Sequence, residues 1–254
     1  MNGRITPDSK YVIGKEITCY EVDGEQRLTP SAFMDIAQEM AYLAADAMHF
    51  GYDELQAEGK AWVLSRLQFR FVDVPKWRES VEVATWHKGP YGPFYLRDFA
   101  ISSLEGERKI NGTSSWVILD VASRRMCRTT EVVEMIPEST ICPDAAIADP
   151  TPKVQMPRGV EPTMVGSHTV SYSDVDILGH TNNAKYVVWG MDCIDYAVTS
   201  GKTMKELSIN FNHETKPGQT VDLYMYSEQA TDGTAYYVEG KIEGSQAFCM
   251  KVVF

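Results

Sequence analysis

One pattern occurs twice along this chain: a helical stretch, then about four segments in which apolar and polar residues alternate. The first helical stretch, T-P-S-A-F-M-D-I-A-Q-E-M-A-Y-L-A-A-D, begins with Thr29 as an N-cap residue and Pro30 at the first helical position. The second, N-N-A-K-Y-V-V-W-G-M-D-C-I-D-Y from Asn182, is apolar on nearly every face, so other structure must wrap it. After the first come L-Q-F-R-F, S-V-E-V-A-T-W, F-Y-L-R-D-F-A-I-S and S-S-W-V-I-L-D. After the second come L-S-I-N-F-N, T-V-D-L-Y-M-Y, A-Y-Y-V-E-G-K-I and A-F-C-M-K-V-V-F. Period-two alternation rich in aromatic and β-branched residues predicts half-buried antiparallel strands. The chain is therefore expected to be α+β, each half an antiparallel sheet wrapped around a long central helix. A single α+β domain with accidental internal similarity is the competing reading.

Six of the twelve prolines lie between Pro137 and Pro162. Proline lacks a backbone donor and fixes its own φ, so this stretch is expected to be an extended linker. It divides the chain into an N-terminal unit (1–136), a linker (137–162) and a C-terminal unit (163–254). The halves align through E-V-D at Glu21–Asp23 and D-V-D at Asp174–Asp176.

With 44% hydrophobic and 23% charged residues, the chain has the composition of a globular protein with a sizeable core. A net charge of −11 disfavours nucleic acid and anionic membranes as partners. An acidic protein partner would need a local basic patch, and the densest candidate is Arg124, Arg125 and Arg128; a solvated strand end is the alternative reading of those arginines. No secretory-type apolar segment opens the sequence and no run of ~18 apolar residues occurs, so a cytoplasmic protein without membrane insertion is expected. The five cysteines are odd in number and lack C-x-x-C spacing, which argues against a disulfide framework or a zinc site. No metal or organic cofactor is expected.

The stretch S-D-V-D-I-L-G-H-T-N-N-A-K-Y-V-V-W, Ser173 to Trp189, concentrates the chemistry. It gathers Asp176, His180, Asn182 and Asn183 on the approach to the second helix, whose N-terminus offers unpaired N–H groups. Gly179 is expected to let backbone come close to a ligand. Donors aimed at a carbonyl oxygen that gains negative charge lower the barrier to its attack. A turn and N-cap would account for Asn and Asp, but not for His and Gly.

These residues resemble the acyl-ACP thioesterases, the plant plastid enzymes and their bacterial relatives. The family motif, approximately D-x-N-x-H-x-N-N, is met by Asp176, His180, Asn182 and Asn183. The broader hotdog thioesterase pattern D-x-x-G-H-x-N-N-x-x-Y is met through Tyr186. L-S-I-N-F-N-H-E-T-K-P-G fits the family's strand ending in a Glu-Cys pair, with Glu214 in the acidic place, and S-S-W-V-I-L-D-V-A-S-R-R-M is similar to its Trp-containing strand. Two positions depart: the family's mid-motif Asn is Leu178, and its Cys is Thr215. The resemblance implies a tandem (double) hotdog with one active site per chain, in the second half. It also implies an acyl-chain pocket shaped by the first half, with Phe33, Met34, Met40 and Trp62 as conceivable linings.

With threonine in the cysteine's place, covalent cysteine catalysis is disfavoured. Water activation by a carboxylate remains, with Glu214 acting on the water and Asp176 orienting His180, or those roles exchanged. Apolar confinement is expected to raise the pKa of the basic carboxylate. A backbone N–H of Gly179 or His180, or an Asn side chain, replaces the donor missing at Leu178. The implied activity is hydrolysis of fatty acyl-ACP, with acyl carrier protein as partner and a monomer or homodimer as assembly. An acyl-CoA thioesterase, a hotdog hydratase and a non-catalytic acyl-binding module are the rival readings.

Overall fold

The computed structural model describes residues 3–254. In chain order its elements are β1 (Arg4–Ile5), β2 (Tyr11–Glu16), α1 (Pro30–Ala47), α2 (Tyr52–Ala57), β3 (Lys60–Phe71), β4 (Ser80–Tyr91), β5 (Phe94–Ser103), β6 (Arg108–Asp120), β7 (Arg125–Met126), α3 (Thr129–Val132), β8 (Thr163–Thr169), α4 (Asn183–Asp192), α5 (Tyr196–Gly201), β9 (Glu206–Phe211), β10 (Thr220–Ala230), β11 (Gly233–Ile242) and β12 (Ser245–Val253). All the alternating segments are strands. β1, β2, β7 and β8 are additions, and β8 escapes the alternation pattern because nearly all of its residues are exposed at the sheet's edge.

One sheet runs β1-β2-β4-β5-β6-β3-β9-β12-β11-β10-β8, with β7 paired to β6 beside this path. The halves meet at the antiparallel β3–β9 ladder, from Arg66 opposite Asn210 to Arg70 opposite Glu206. Thr29 caps α1 by accepting the Ala32 N–H at 3.2 Å. The helix buries Phe33, Met34, Ala37, Met40, Ala41 and Ala44, a stripe at helical spacing. The second helix is shorter than the sequence suggests. It ends at Asp192, and Asp195 caps the separate α5 by accepting the Ala197 N–H at 2.7 Å. α1 and α4 pack on each other within one apolar core that spans both halves, which is the α+β arrangement expected.

The linker holds one 3-10 turn at Glu138–Thr140 and an isolated bridge from Ile141 to His87, and it is tied to the outer face of the sheet. The Trp86 indole donates to Asp144 O at 2.8 Å, and Asp98 Oδ2 accepts the Ala146 N–H at 2.7 Å. Further along, Ser115 meets Thr151, and Asn210 both accepts the Val154 N–H and donates to Val154 O. The segment thus crosses β4, β5, β6 and β9 as a strap, burying polar residues on the outer faces of those strands. Asn210→Ala leaves a buried N–H and C=O unpaired, so we expect a loss of about 2–3 kcal/mol in denaturant unfolding. A loss below about 0.5 kcal/mol, the range of an ordinary surface change, would show the strap to be dispensable.

Candidate active site

Two loops converge at the N-terminus of α4. In the first, Asp176 folds a tight turn: its N–H donates to His180 O at 2.9 Å, and its Oδ1 accepts the Leu178 N–H at 2.9 Å and the His180 N–H at 3.4 Å. Gly179, at φ +76°, donates its N–H to Asp176 O at 3.1 Å. The second loop follows β9 and carries Glu214 and Thr215. The Thr181 N–H donates to Thr215 O at 2.9 Å, and the two threonine hydroxyls also meet. Tyr186, on the first turn of α4, donates its hydroxyl to Thr215 Oγ1 and accepts the Thr215 N–H, both at 3.0 Å.

This knot sets the neighbouring residues face to face, with His180 Nε2 3.5 Å from Glu214 Oε2. The other oxygen, Glu214 Oε1, accepts from Arg124 Nη2 at 2.7 Å and lies 3.6 Å from Lys216 Nζ. Burial pushes the Glu214 carboxyl up, but the Arg124 hydrogen bond and the charges of His180, Arg124 and Lys216 outweigh it and hold the group below its ordinary range. The expectation of a raised pKa is corrected here, because the carboxylate sits among cations rather than in an apolar pocket.

Among the described residues the Asp176 carboxylate makes no hydrogen bond or ion pair with the imidazole. It orients His180 through the backbone, and Asp23 builds the same turn in the first half. There the Asp23 N–H donates to Arg27 O at 2.9 Å, and Asp23 Oδ1 accepts the Glu25 and Arg27 N–H groups, each at 2.9 Å. Each turn leads into a helix cap, Thr29 in one half and Asn182 in the other.

Asn182 Oδ1 caps α4 by accepting the Ala184 N–H at 2.8 Å. It also accepts from Gln38 Nε2 at 3.1 Å, while Gln38 Oε1 accepts from Asn183 Nδ2 at 3.2 Å. The Asn182 side-chain NH₂ makes no hydrogen bond among the described residues. Leu178 is exposed, and the Gly179 and His180 N–H groups are used within the turn, so the donor absent at Leu178 is not replaced by them.

Asp176, His180, Asn182, Asn183 and Glu214 all border one cavity of about 1210 Å³, which extends between α1 and the inner face of the first half. Phe50, Leu55, Trp62, Tyr95, Leu96 and Trp116 give it apolar walls. Gly179 does not border it, and a Cβ there would meet open space; the glycine serves the turn's positive φ, not close approach of a ligand. Of the four conceivable linings only Trp62 is one, because Phe33, Met34 and Met40 point into the core from the opposite side of α1. No cysteine borders the cavity among the described residues, and burial pushes the thiols of Cys193 and Cys249 up to about 11 and about 12.

Residues 8–136 match a sequence model of the acyl-ACP thioesterase N-terminal domain, and residues 160–251 match that of the C-terminal domain. The chain belongs to the acyl-ACP thioesterase family. Among its relatives is a chloroplastic palmitoyl-acyl carrier protein thioesterase of Gossypium hirsutum, 25% identical over 78% of this chain and 50% of that one. Another is a chloroplastic oleoyl-acyl carrier protein thioesterase of Arabidopsis thaliana, 22% identical over 86% of this chain and 64% of that one. The chain thus spans about half to two thirds of the length of these relatives. An acyl-ACP thioesterase from Bacteroides thetaiotaomicron superposes with a TM-score of 0.79 at 23% identity, covering 97% of this chain and 98% of that one. The 12:0-ACP thioesterase of Umbellularia californica does so with a TM-score of 0.81 at 19% identity, covering 96% of each. These likenesses establish the family's tandem hotdog fold.

Three contributors to this family member's site were not read from the sequence: Arg124, seen there only as part of a basic patch, Gln38, and the Thr181–Thr215–Tyr186 knot. The knot had two traces, threonine in the family's cysteine position and Tyr186 at the end of the broader motif. Tyr186→Phe leaves the buried Thr215 N–H without its acceptor, so we expect about 1–3 kcal/mol less stability in thermal or denaturant unfolding. Thr215→Ser, which keeps the hydroxyl, should lose less; equal losses would show that the knot's hydrogen bonds are not what holds the loop.

Proposed function

We propose that this protein hydrolyses fatty acyl-ACP to free fatty acid and holo-carrier protein, with water activated by Glu214. The observation that supports this most is the His180–Glu214 pair at 3.5 Å on the border of a long, mostly apolar-walled cavity. The cations around Glu214 keep it ionised, so it is ready to take a proton as the water oxygen attacks the thioester carbonyl. The carbonyl oxygen gains charge and is met by the unpartnered Asn182 NH₂ and by the Asn183 N–H at the start of α4, since Ala184 and Lys185 donate theirs to Asn182. Collapse expels the thiolate, which His180 protonates; Glu214 then returns the water's proton to the imidazole across their 3.5 Å separation, and the acyl chain lies along the cavity. Asp176 acts by shaping the turn that carries His180. Because Asp23 shapes the same turn where no such site exists, the carboxylate at Asp176 belongs to the fold's framework.

An acidic carrier suits the exposed Arg125 and Arg128, which follow closely in sequence on Arg124 at the cavity's border. Carrier and reaction are tested together by comparing turnover of acyl-ACP and acyl-CoA of equal chain length. A strong preference for CoA would remove the carrier protein from this reading, and enoyl hydration with the thioester intact would replace hydrolysis.

In that assay Glu214→Gln should lower kcat about 10²–10⁴-fold, the usual contribution of a general base. Asp176→Asn keeps an acceptor oxygen for the turn and should retain far more activity than Asp176→Ala. Equal losses in the two Asp176 variants would show that its charge acts in the reaction itself. Arg124 depresses the Glu214 pKa, so Arg124→Met raises it, and the acid limb of the pH dependence of kcat/KM should move to higher pH. An unmoved limb would exclude Glu214 as the group whose ionisation governs the rate.

A further inference from the structure

The inner faces of β4 and β5 carry a polar island in the first half, well apart in sequence from the residues of the proposed hydrolysis. His87 stands opposite Arg97 in the β4–β5 ladder, so the two side chains share a face. Val83 and Phe99, on that face, belong to the core beneath α1, whereas His87 and Arg97 border the cavity. His87 is 3% exposed and Arg97 6%. The aromatic rings of Phe50 and Tyr95 flank His87, with centroids 5.8 and 5.9 Å away.

Neither polar side chain is fully satisfied by the protein, although His87 Nδ1 accepts the Gly89 N–H at 3.5 Å. Among the described residues His87 Nε2 has no hydrogen-bond partner. The Arg97 side chain donates only to Thr85 Oγ1, at 3.3 Å, and pairs with no carboxylate. Ser114, opposite Arg97 on β6, is occupied: it accepts the Trp116 indole N–H at 2.7 Å and donates to Arg97 O at 3.0 Å. Burial lowers Arg97 to about 10, so it stays charged, and burial together with that charge lowers His87 to about 3, so it stays neutral. A buried polar group without a partner costs about 1–3 kcal/mol, and a charged one more. A wall serving only a hydrocarbon chain gains nothing from bearing that cost.

We propose that Arg97 and His87 form a subsite for an oxygen atom carried by the acyl chain, so that the protein selects chains bearing a hydroxyl, oxo or carboxylate group along their length. This rests on the acyl-thioesterase reading and specifies its substrate class. The guanidinium supplies the donors, and the neutral imidazole adds one further hydrogen bond in a buried aromatic setting.

The test uses the full-length protein and non-hydrolysable acyl-pantetheine analogues in which an amide replaces the thioester. Calorimetry compares an unsubstituted chain with chains of equal length whose hydroxyl, oxo or terminal carboxylate is placed at successive positions. At least one oxygenated analogue should bind about tenfold tighter than the plain chain, the gain expected of one good hydrogen bond in a desolvated site. His87→Phe and, separately, Arg97→Met should shrink that advantage, read as the ratio of the two affinities within each variant, to less than about threefold. If no oxygenated analogue outbinds the plain chain, or if the advantage survives both substitutions, the proposal is overturned. Should either variant fail to fold in thermal unfolding, the wild-type comparison still decides. Binding is read without turnover, so failure to hydrolyse plain acyl-ACP would strike the thioesterase reading and leave this result standing.

Discussion

The double attachment of Thr215 to Thr181 fixes the distance on which the site depends. Glu214 and His180 are each one residue from a threonine, and those threonines share a backbone hydrogen bond and a hydroxyl contact. Thr215 is fully buried, and Tyr186 closes both its N–H and its Oγ1. The loop therefore cannot slide without exposing several paired polar groups to an apolar interior. β9, which delivers the loop, is itself held between β3 and β12. A carboxylate at a strand end, solvated in most proteins, becomes a fixed part of the cavity's border because of the residue that follows it.

Duplication separates what the fold needs from what the site adds. Asp23 and Asp176 make the same turn, and Thr29 and Asn182 cap the helices that follow. The residue that closes the turn is free to differ. In the first half it is Arg27, whose guanidinium donates to Thr199 O at 2.9 Å, Lys202 O at 3.0 Å and Ser200 O at 3.1 Å, covering the carbonyls at the C-terminal end of α5. In the second it is His180, which faces Glu214. The same scaffold position serves helix capping in one half and borders the cavity in the other.

What could be read from the sequence follows from distance along the chain. Asp176, His180, Asn182 and Asn183 lie within eight residues, so a local pattern displays them together, and period-two alternation reveals the strands that carry a buried face. Gln38 and Arg124 were hidden because their partners are 144 or more and 90 positions away. The strap was hidden because proline content reports an absence of regular structure and says nothing about hydrogen bonds that cross to a sheet. The stripe of α1 was legible, yet its sense was not: Phe33 and Met40 face the core, while Gln38 and Tyr42 border the cavity. Composition alone favours the larger apolar residues as linings, and helical phase decides otherwise.

The site belongs to both halves even though its motif lies in one. Gln38 comes from α1 and locks the two asparagines at the start of α4, and Arg124 comes from the turn after β6 and binds Glu214. Glu214 is thus subject to opposing pulls: desolvation at the cavity's border favours its neutral form, and cations drawn from both halves favour the charged one. The cations prevail. In a chain of net charge −11 a carboxylate has no general positive field to rely on, so its ionisation has to be secured by specific neighbours. Arg124 is the nearest of them, and it can reach Glu214 only because the β3–β9 ladder joins the two halves into one sheet. Separating the halves would therefore remove not only shared core but also the charge balance of the residue assigned to the water.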